Sequence, residues 1–252
     1  MKKLIIGNWK MNPKSEREAL AIIEKIKKEL IPIVGVDLVL CPPAVYLAKL
    51  HEEVRLTSIK LGAQNVNERN SGAFTGEISM PMIKRWAKYV IIGHSERREI
   101  YKEEDKIINK KVINASIQNL IPILCVGETV KELRMGDNES TIGQLREDLK
   151  LVSPKDLANI IFAYEPVWAI GKERGADPGY ANQQIGLIRQ AIASFYNRDL
   201  AIRSRILYGG SVNASTVKDY LDQPEINGVL VGGNSVIAPE FIQICKIAIG
   251  KE

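Results

Sequence analysis

The sequence predicts an α/β protein, a closed (β/α)8 barrel that occupies residues 1–252 as one domain. Three observations predict it. Short continuous apolar runs, rich in Ile, Val and Leu, recur eight times without polar alternation. That is the pattern of parallel strands buried on both faces. A segment of helical period follows each run. No linker or low-complexity stretch divides the chain, and 252 residues is an ordinary length for eight strand–helix units.

The strand candidates are residues 4–7, 37–41, 59–63, 89–93, 121–126, 160–164, 205–208 and 228–232. Behind the first run, Ala19, Ile22, Ile23, Ile26 and Leu30 fall on one helical face. Ser15 and Glu18 form a capping-box pattern before that face, and Pro32 ends it. After the sixth run, Asp177 can cap a helix with Pro178 at its first position. Ala181, Ile185, Ile188, Ile192 and Phe195 then make its apolar face. An open doubly wound sheet is the competing architecture. It usually carries a G-x-G-x-x-G turn after its first strand, and here that turn reads Gly7-Asn8-Trp9-Lys10-Met11-Asn12.

Composition narrows the function. Apolar residues are 45% and charged residues 26%, enough to bury a full core and too apolar for disorder. The net charge of +5 arises from 35 basic and 30 acidic residues that are interspersed along the chain. No Lys/Arg stripe with interleaved aromatics is present, which argues against nucleic acid. Cys41, Cys125 and Cys245 are widely spaced and odd in number, so free thiols in a reducing compartment are expected. The N-terminal apolar run is too short for a secretion signal, and no run is long enough to span a bilayer. The expectation is a cytoplasmic protein with no membrane partner. No His/Cys/Asp/Glu grouping has metal-ligand spacing and nothing suggests a nucleotide, so neither metal nor cofactor is expected.

In a barrel of this kind the active site lies at the C-terminal ends of the strands. Those ends offer Asn8 and Lys10, Gln64 and Asn65, His94 with Ser95 and Glu96, Gly127 and Glu128, Glu165, Gly209–Ser211, and Gly232–Asn234. Glu165 stands out. It ends an apolar run, Pro166 stops the strand at once, and a loop over residues 169–176 follows. This suits a general base on a rigid strand end beneath a lid; a solvated glutamate at a strand end is the plainer alternative. Glycine pairs close the seventh and eighth strands, where a phosphate cradle is common. His94 precedes a helix start, which disfavours its cationic form and suits a neutral hydrogen-bond donor. Lys10 can supply a counter-charge to an oxyanion. His51 reads as a solvated helix residue without a role. A carboxylate base, a neutral donor, a lysine and a phosphate cradle suit proton abstraction beside a carbonyl, giving an enediolate without a cofactor.

Six segments in register resemble the triosephosphate isomerase family over essentially the whole chain. They are residues 7–12, 73–77, 93–98, 125–129, 163–171 and 208–212. The resemblance implies a TIM barrel that interconverts dihydroxyacetone phosphate and glyceraldehyde 3-phosphate. It implies Glu165 as the base, neutral His94 as the electrophile, Lys10 as positive charge, Asn8 as orienter and Glu96 as support. The phosphate would rest on backbone N–H groups of Gly171, Ser211, Gly232 and Gly233. Residues 168–176 would close as a lid from Trp168, latched by Tyr208 through Ala176. Thr75, on an interdigitating loop, would reach the active site of a partner in a homodimer. Three departures from the family pattern stand out: the lid tip Lys172-Glu173-Arg174-Gly175, Asn234 beside the phosphate, and a shortened stretch over residues 79–88. The altered lid and Asn234 leave room for another short sugar phosphate, such as a tetrulose phosphate, as substrate. An inactive barrel that only binds phosphorylated metabolites is a further alternative, disfavoured by the complete residue set.

Overall fold

A computed structural model describes residues 1–135, 139–172 and 174–250. The eight strands are β1 (Lys3–Asn8), β2 (Val36–Cys41), β3 (Lys60–Ala63), β4 (Tyr89–Ile92), β5 (Ile121–Val126), β6 (Ile161–Tyr164), β7 (Arg205–Tyr208) and β8 (Gly228–Val231). Every pairing is parallel and each strand neighbours the next in sequence. β1 closes the ring against β8, with Ile5 opposite Val229 and Gly7 opposite Val231. Each strand lies on one of the eight apolar runs, so the open-sheet alternative falls.

The absence of polar alternation has a direct cause. Along β1, Leu4 and Ile6 point into the barrel with Val39, Ile91, Ile123, Ala163 and Leu207, and Ile5 joins the layer between strands and helices. Both faces are dry, so no position along the strand calls for a polar side chain.

The first helix, Glu16–Leu30, starts as expected at Ser15, whose side chain accepts from Glu18 N. The return half of the capping box is displaced by one residue: Glu18 Oε2 accepts from Lys14 N at 3.3 Å. Ala19, Ile23, Ile26 and Leu30 are buried on its inner face, with Ile22 half-buried at the edge. The helix Pro178–Phe195 is capped by Asp177, which accepts from Tyr180 N at 2.9 Å, with Pro178 at its first position. No helix among the described residues is long and apolar enough to cross a membrane.

His51 corrects the sequence expectation. It is half-buried, and its Nδ1 lies 3.2 Å from the Trp86 carbonyl oxygen. It ties the helix Leu47–Val54 to the segment entering β4, a tertiary bond that helical periodicity does not reveal.

Candidate active site

The C-terminal ends of β1, β4, β6, β7 and β8 converge on one cleft of about 400 Å³. Asn8, Lys10, His94, Glu165, Gly171, Ser211, Gly232 and Gly233 all line it. Glu96 stands behind Lys10 instead of in the cleft wall.

Glu165 extends from β6 and is buried, and its backbone stays in the ladder through Glu165 N to Val126 O at 2.8 Å. Glycines clear the space around it. A Cβ at Gly127 would lie 1.9 Å from the Glu165 carbonyl oxygen, and one at Gly209 would lie 2.8 Å from Glu165 Cγ. Oε2 accepts from Ser95 N at 2.8 Å. Oε1 is buried without a hydrogen-bond donor and lies 3.3 Å from His94 Nε2. With Oε2 held by a backbone N–H, Oε1 is the carboxylate oxygen that can accept a proton. Cys125 lies behind this carboxylate. Burial, with the Glu165 charge adding to it, holds its thiol well above the ordinary range.

His94 caps the helix Ser95–Glu99 through its ring: Nδ1 accepts from Glu96 N at 3.2 Å. An accepting Nδ1 carries no hydrogen, so the ring's hydrogen sits on Nε2, on the side of Glu165. The helix start thus selects the tautomer that donates into the cleft.

Lys10 adopts a left-handed backbone, with φ of 53°. Its N–H donates to Asn8 Oδ1 at 3.1 Å, and its carbonyl accepts from Gln64 Nε2 at 2.8 Å. The same Gln64 amide also donates to Cys41 O at 2.9 Å. These bonds hold an unfavourable conformation for a residue with a side chain. The ammonium pairs with Glu96 Oε1 at 2.5 Å. The strand-end reading named Gln64 but gave it no task; anchoring the lysine is what it does.

The loop over residues 168–176 is tied at both ends. At its start, the buried Glu128 carboxylate accepts from Trp168 Nε1 and Tyr164 OH, both at 2.8 Å, and from Tyr180 OH at 3.3 Å. At its end, Ala176 N donates to Tyr208 OH at 2.8 Å, and Ala176 O accepts from Tyr220 OH at 2.6 Å. The Tyr208 and Tyr220 rings stack with centroids 4.1 Å apart. Between these ties, Lys172 N donates to Ser211 Oγ at 3.1 Å. Gly175 packs against this latch, and a Cβ there would lie 2.5 Å from both Ser211 O and Tyr220 OH. It is a close-packing glycine. Glu173, within the departing tip Lys172-Glu173-Arg174-Gly175, lies outside the described residues. Asn234 Nδ2 donates to Val212 O at 2.6 Å and so bridges the loops after β7 and β8.

A sequence model of the triosephosphate isomerase family matches residues 3–248. The chain belongs to the triosephosphate isomerase family. It is 44% identical over 243 residues to a protein of Clostridium botulinum named triosephosphate isomerase, covering 96% of this chain and 97% of the relative. It is 44% identical over 246 residues to one of Caldanaerobacter subterraneus, with 96% and 97% covered. It is 41% identical over 247 residues to one of Symbiobacterium thermophilum, with 97% and 96% covered. The family match and the alignments to these relatives span the whole barrel, so the membership rests on more than the cleft.

Sequence reading missed that Glu128 holds Trp168 and that Tyr220 holds Ala176. Tyr220 sits in the helix Val217–Leu221 with its apolar neighbours Val217 and Leu221, where an aromatic reads as core. Its hydroxyl's partner is 44 residues away in sequence.

Proposed function

We propose that the protein catalyses the cofactor-free interconversion of dihydroxyacetone phosphate and D-glyceraldehyde 3-phosphate. The observation that carries this reading is the undonated Glu165 Oε1 facing His94 Nε2 across a cleft whose far wall is the glycine pairs after β7 and β8. Family membership supports the choice of a triose phosphate. In this reading the phosphate rests on backbone N–H groups of Gly171, Ser211, Gly232 and Gly233. That seats the carbon next to the carbonyl beside Glu165.

Glu165 removes a proton from C1 of the ketose, and the C–H electron pair becomes the C1–C2 double bond. The carbonyl π pair moves to oxygen, where His94 Nε2–H donates to it. Lys10 stabilises the developing negative charge, held in place by Asn8, Gln64 and Glu96. The proton on Glu165 is then delivered to C2, and His94 Nε2, having given its hydrogen to the C2 oxygen, takes up the C1 hydroxyl proton as the new carbonyl forms, so both residues end as they began. The lid keeps water from the enediolate and disfavours expulsion of phosphate.

The reading includes a homodimer in the cytoplasm. A second cleft of about 170 Å³ opens on the other side of Lys10 and His94, lined by Met11, Gln64, Glu96 and Tyr101. Met11, Val45 and Tyr101 leave large apolar surface exposed, and the loop carrying Phe74 and Thr75 is exposed as well. Exposed apolar surface of this kind suits a protein interface. The partner's Thr75 then enters the second cleft and braces Lys10.

The test is coupled isomerisation of glyceraldehyde 3-phosphate by the wild type and by Glu165→Gln. The expected loss in the variant is about a thousandfold or more, since a carboxamide cannot take the proton. A folded but inactive wild type rejects the substrate assignment.

A further inference from the structure

The N-terminal end of the barrel, opposite the catalytic cleft, carries another concavity of about 350 Å³. It lies between the end of the helix Leu47–Val54, the first residue of β3 and the segment that enters β4. Arg55, Lys60, Lys84, Arg85 and Lys88 line it, and no carboxylate does. Three of these cations come from the stretch Lys84-Arg85-Trp86-Ala87-Lys88, which the isomerisation leaves unused.

Most of this charge has no counter-charge. Arg55 meets Glu52 at 3.6 Å in an exposed pair. Lys84 Nζ donates to Gln118 Oε1 at 3.0 Å and Lys88 Nζ to Asn119 O at 3.2 Å, both neutral acceptors. The Arg85 guanidinium lies 5.4 Å from the centroid of the Trp86 ring. Lys60 has no carboxylate partner among the described residues. Four cations around one hollow repel each other, and a multivalent anion placed between them removes that repulsion. The frame is rigid: His51 holds the Trp86 carbonyl, and Val54 O, at the helix end, already accepts from both Thr57 N and Thr57 Oγ1 at 2.8 Å. The helix terminus therefore presents no free carbonyl of Val54 against an anion.

We propose that this concavity binds a small polyphosphorylated anion, with two or more linked phosphate groups. Its volume suits a small ligand. Its cations ring one hollow and do not run as a stripe, which a nucleic-acid backbone would need. A lone phosphate neutralises only part of the charge and is better held by the glycine cradle. The linked phosphates can be free or carried by a nucleotide. All five cations are solvent-exposed, so binding is modest and salt-sensitive.

The test is calorimetric titration of the intact enzyme with sodium tripolyphosphate and, separately, with metal-free ATP. The comparison is Lys60→Gln/Arg85→Gln, whose isomerase kcat/KM should stay within about twofold of wild type because both residues lie at the opposite end of the barrel. The expected result is a Kd below about 1 mM at low salt, weakened at least tenfold in the double variant and by about 0.5 M salt. Equal binding of both anions points to the phosphate chain alone. Tighter ATP binding with quenched Trp86 fluorescence points to a nucleotide. An unchanged Kd in the double variant overturns the proposal. So does binding seen only as competitive inhibition of isomerisation, or tighter binding of short duplex DNA than of tripolyphosphate.

Discussion

Tyr208→Phe removes one oxygen from the lid latch and leaves the rest in place. The ring still stacks on Tyr220 at 4.1 Å, and Tyr220 OH still donates to Ala176 O at 2.6 Å. The loss falls on Ala176 N, which is buried and donates to Tyr208 OH at 2.8 Å. A buried N–H stripped of its acceptor costs about 1–3 kcal/mol. If that cost falls on the latched state alone, the equilibrium constant for latching drops by about 5- to 150-fold, at about 1.4 kcal/mol per tenfold. In the coupled isomerisation assay, kcat/KM should fall by that factor. Inorganic phosphate release per turnover should rise, because the enediolate is less well enclosed. The two hydroxyls act on one residue, so Tyr208→Phe and Tyr220→Phe should be non-additive in a double-mutant cycle. A kcat/KM within about twofold of wild type, with no rise in phosphate release, refutes this account of the latch.

Other substitutions probe the site at separate points. Gly209→Ala places a methyl 2.8 Å from Glu165 Cγ, so kcat should fall at least about tenfold with a smaller change in KM, read by steady-state kinetics. Asn234→Ala removes the bond to Val212 O that joins the two cradle loops. At about 0.5–1.5 kcal/mol, KM should rise about 2- to 10-fold while kcat changes less. Burial pushes all three cysteine thiols up, so little thiolate exists at pH 8. Ellman's reagent should therefore react with none of them in the folded protein and with all three in denaturant.

The barrel was legible because its physics is local in sequence. A strand buried on both faces must be apolar at successive positions, and residues 4–7 or 121–126 declare this without any partner. The cleft followed from the rule that active sites lie at the C-terminal strand ends, which put Asn8, Lys10, His94, Glu165 and the glycine pairs in one place. What escaped depends on distant partners. Glu128 anchors Trp168 across 40 residues, Gln64 reaches Lys10 across 54, and His51 meets Trp86 across 35. Each is an ordinary polar residue in its own neighbourhood. Gly175 is opaque for a related reason: its constraint is steric contact with Ser211, Tyr208 and Tyr220, which a loop tip does not disclose in sequence.

In the proposed mechanism Glu165 carries a proton between two carbons of one substrate. The most direct measurement runs dihydroxyacetone phosphate through the wild-type enzyme in D2O and locates deuterium in the glyceraldehyde 3-phosphate by NMR. Deuterium is expected at C2 in at least part of the product, since a proton held on a carboxylate can exchange before it is returned. Glu165→Gln should form this product at least about a thousandfold more slowly. Fast product formation with no deuterium at C2, or undiminished turnover in the variant, contradicts that mechanism.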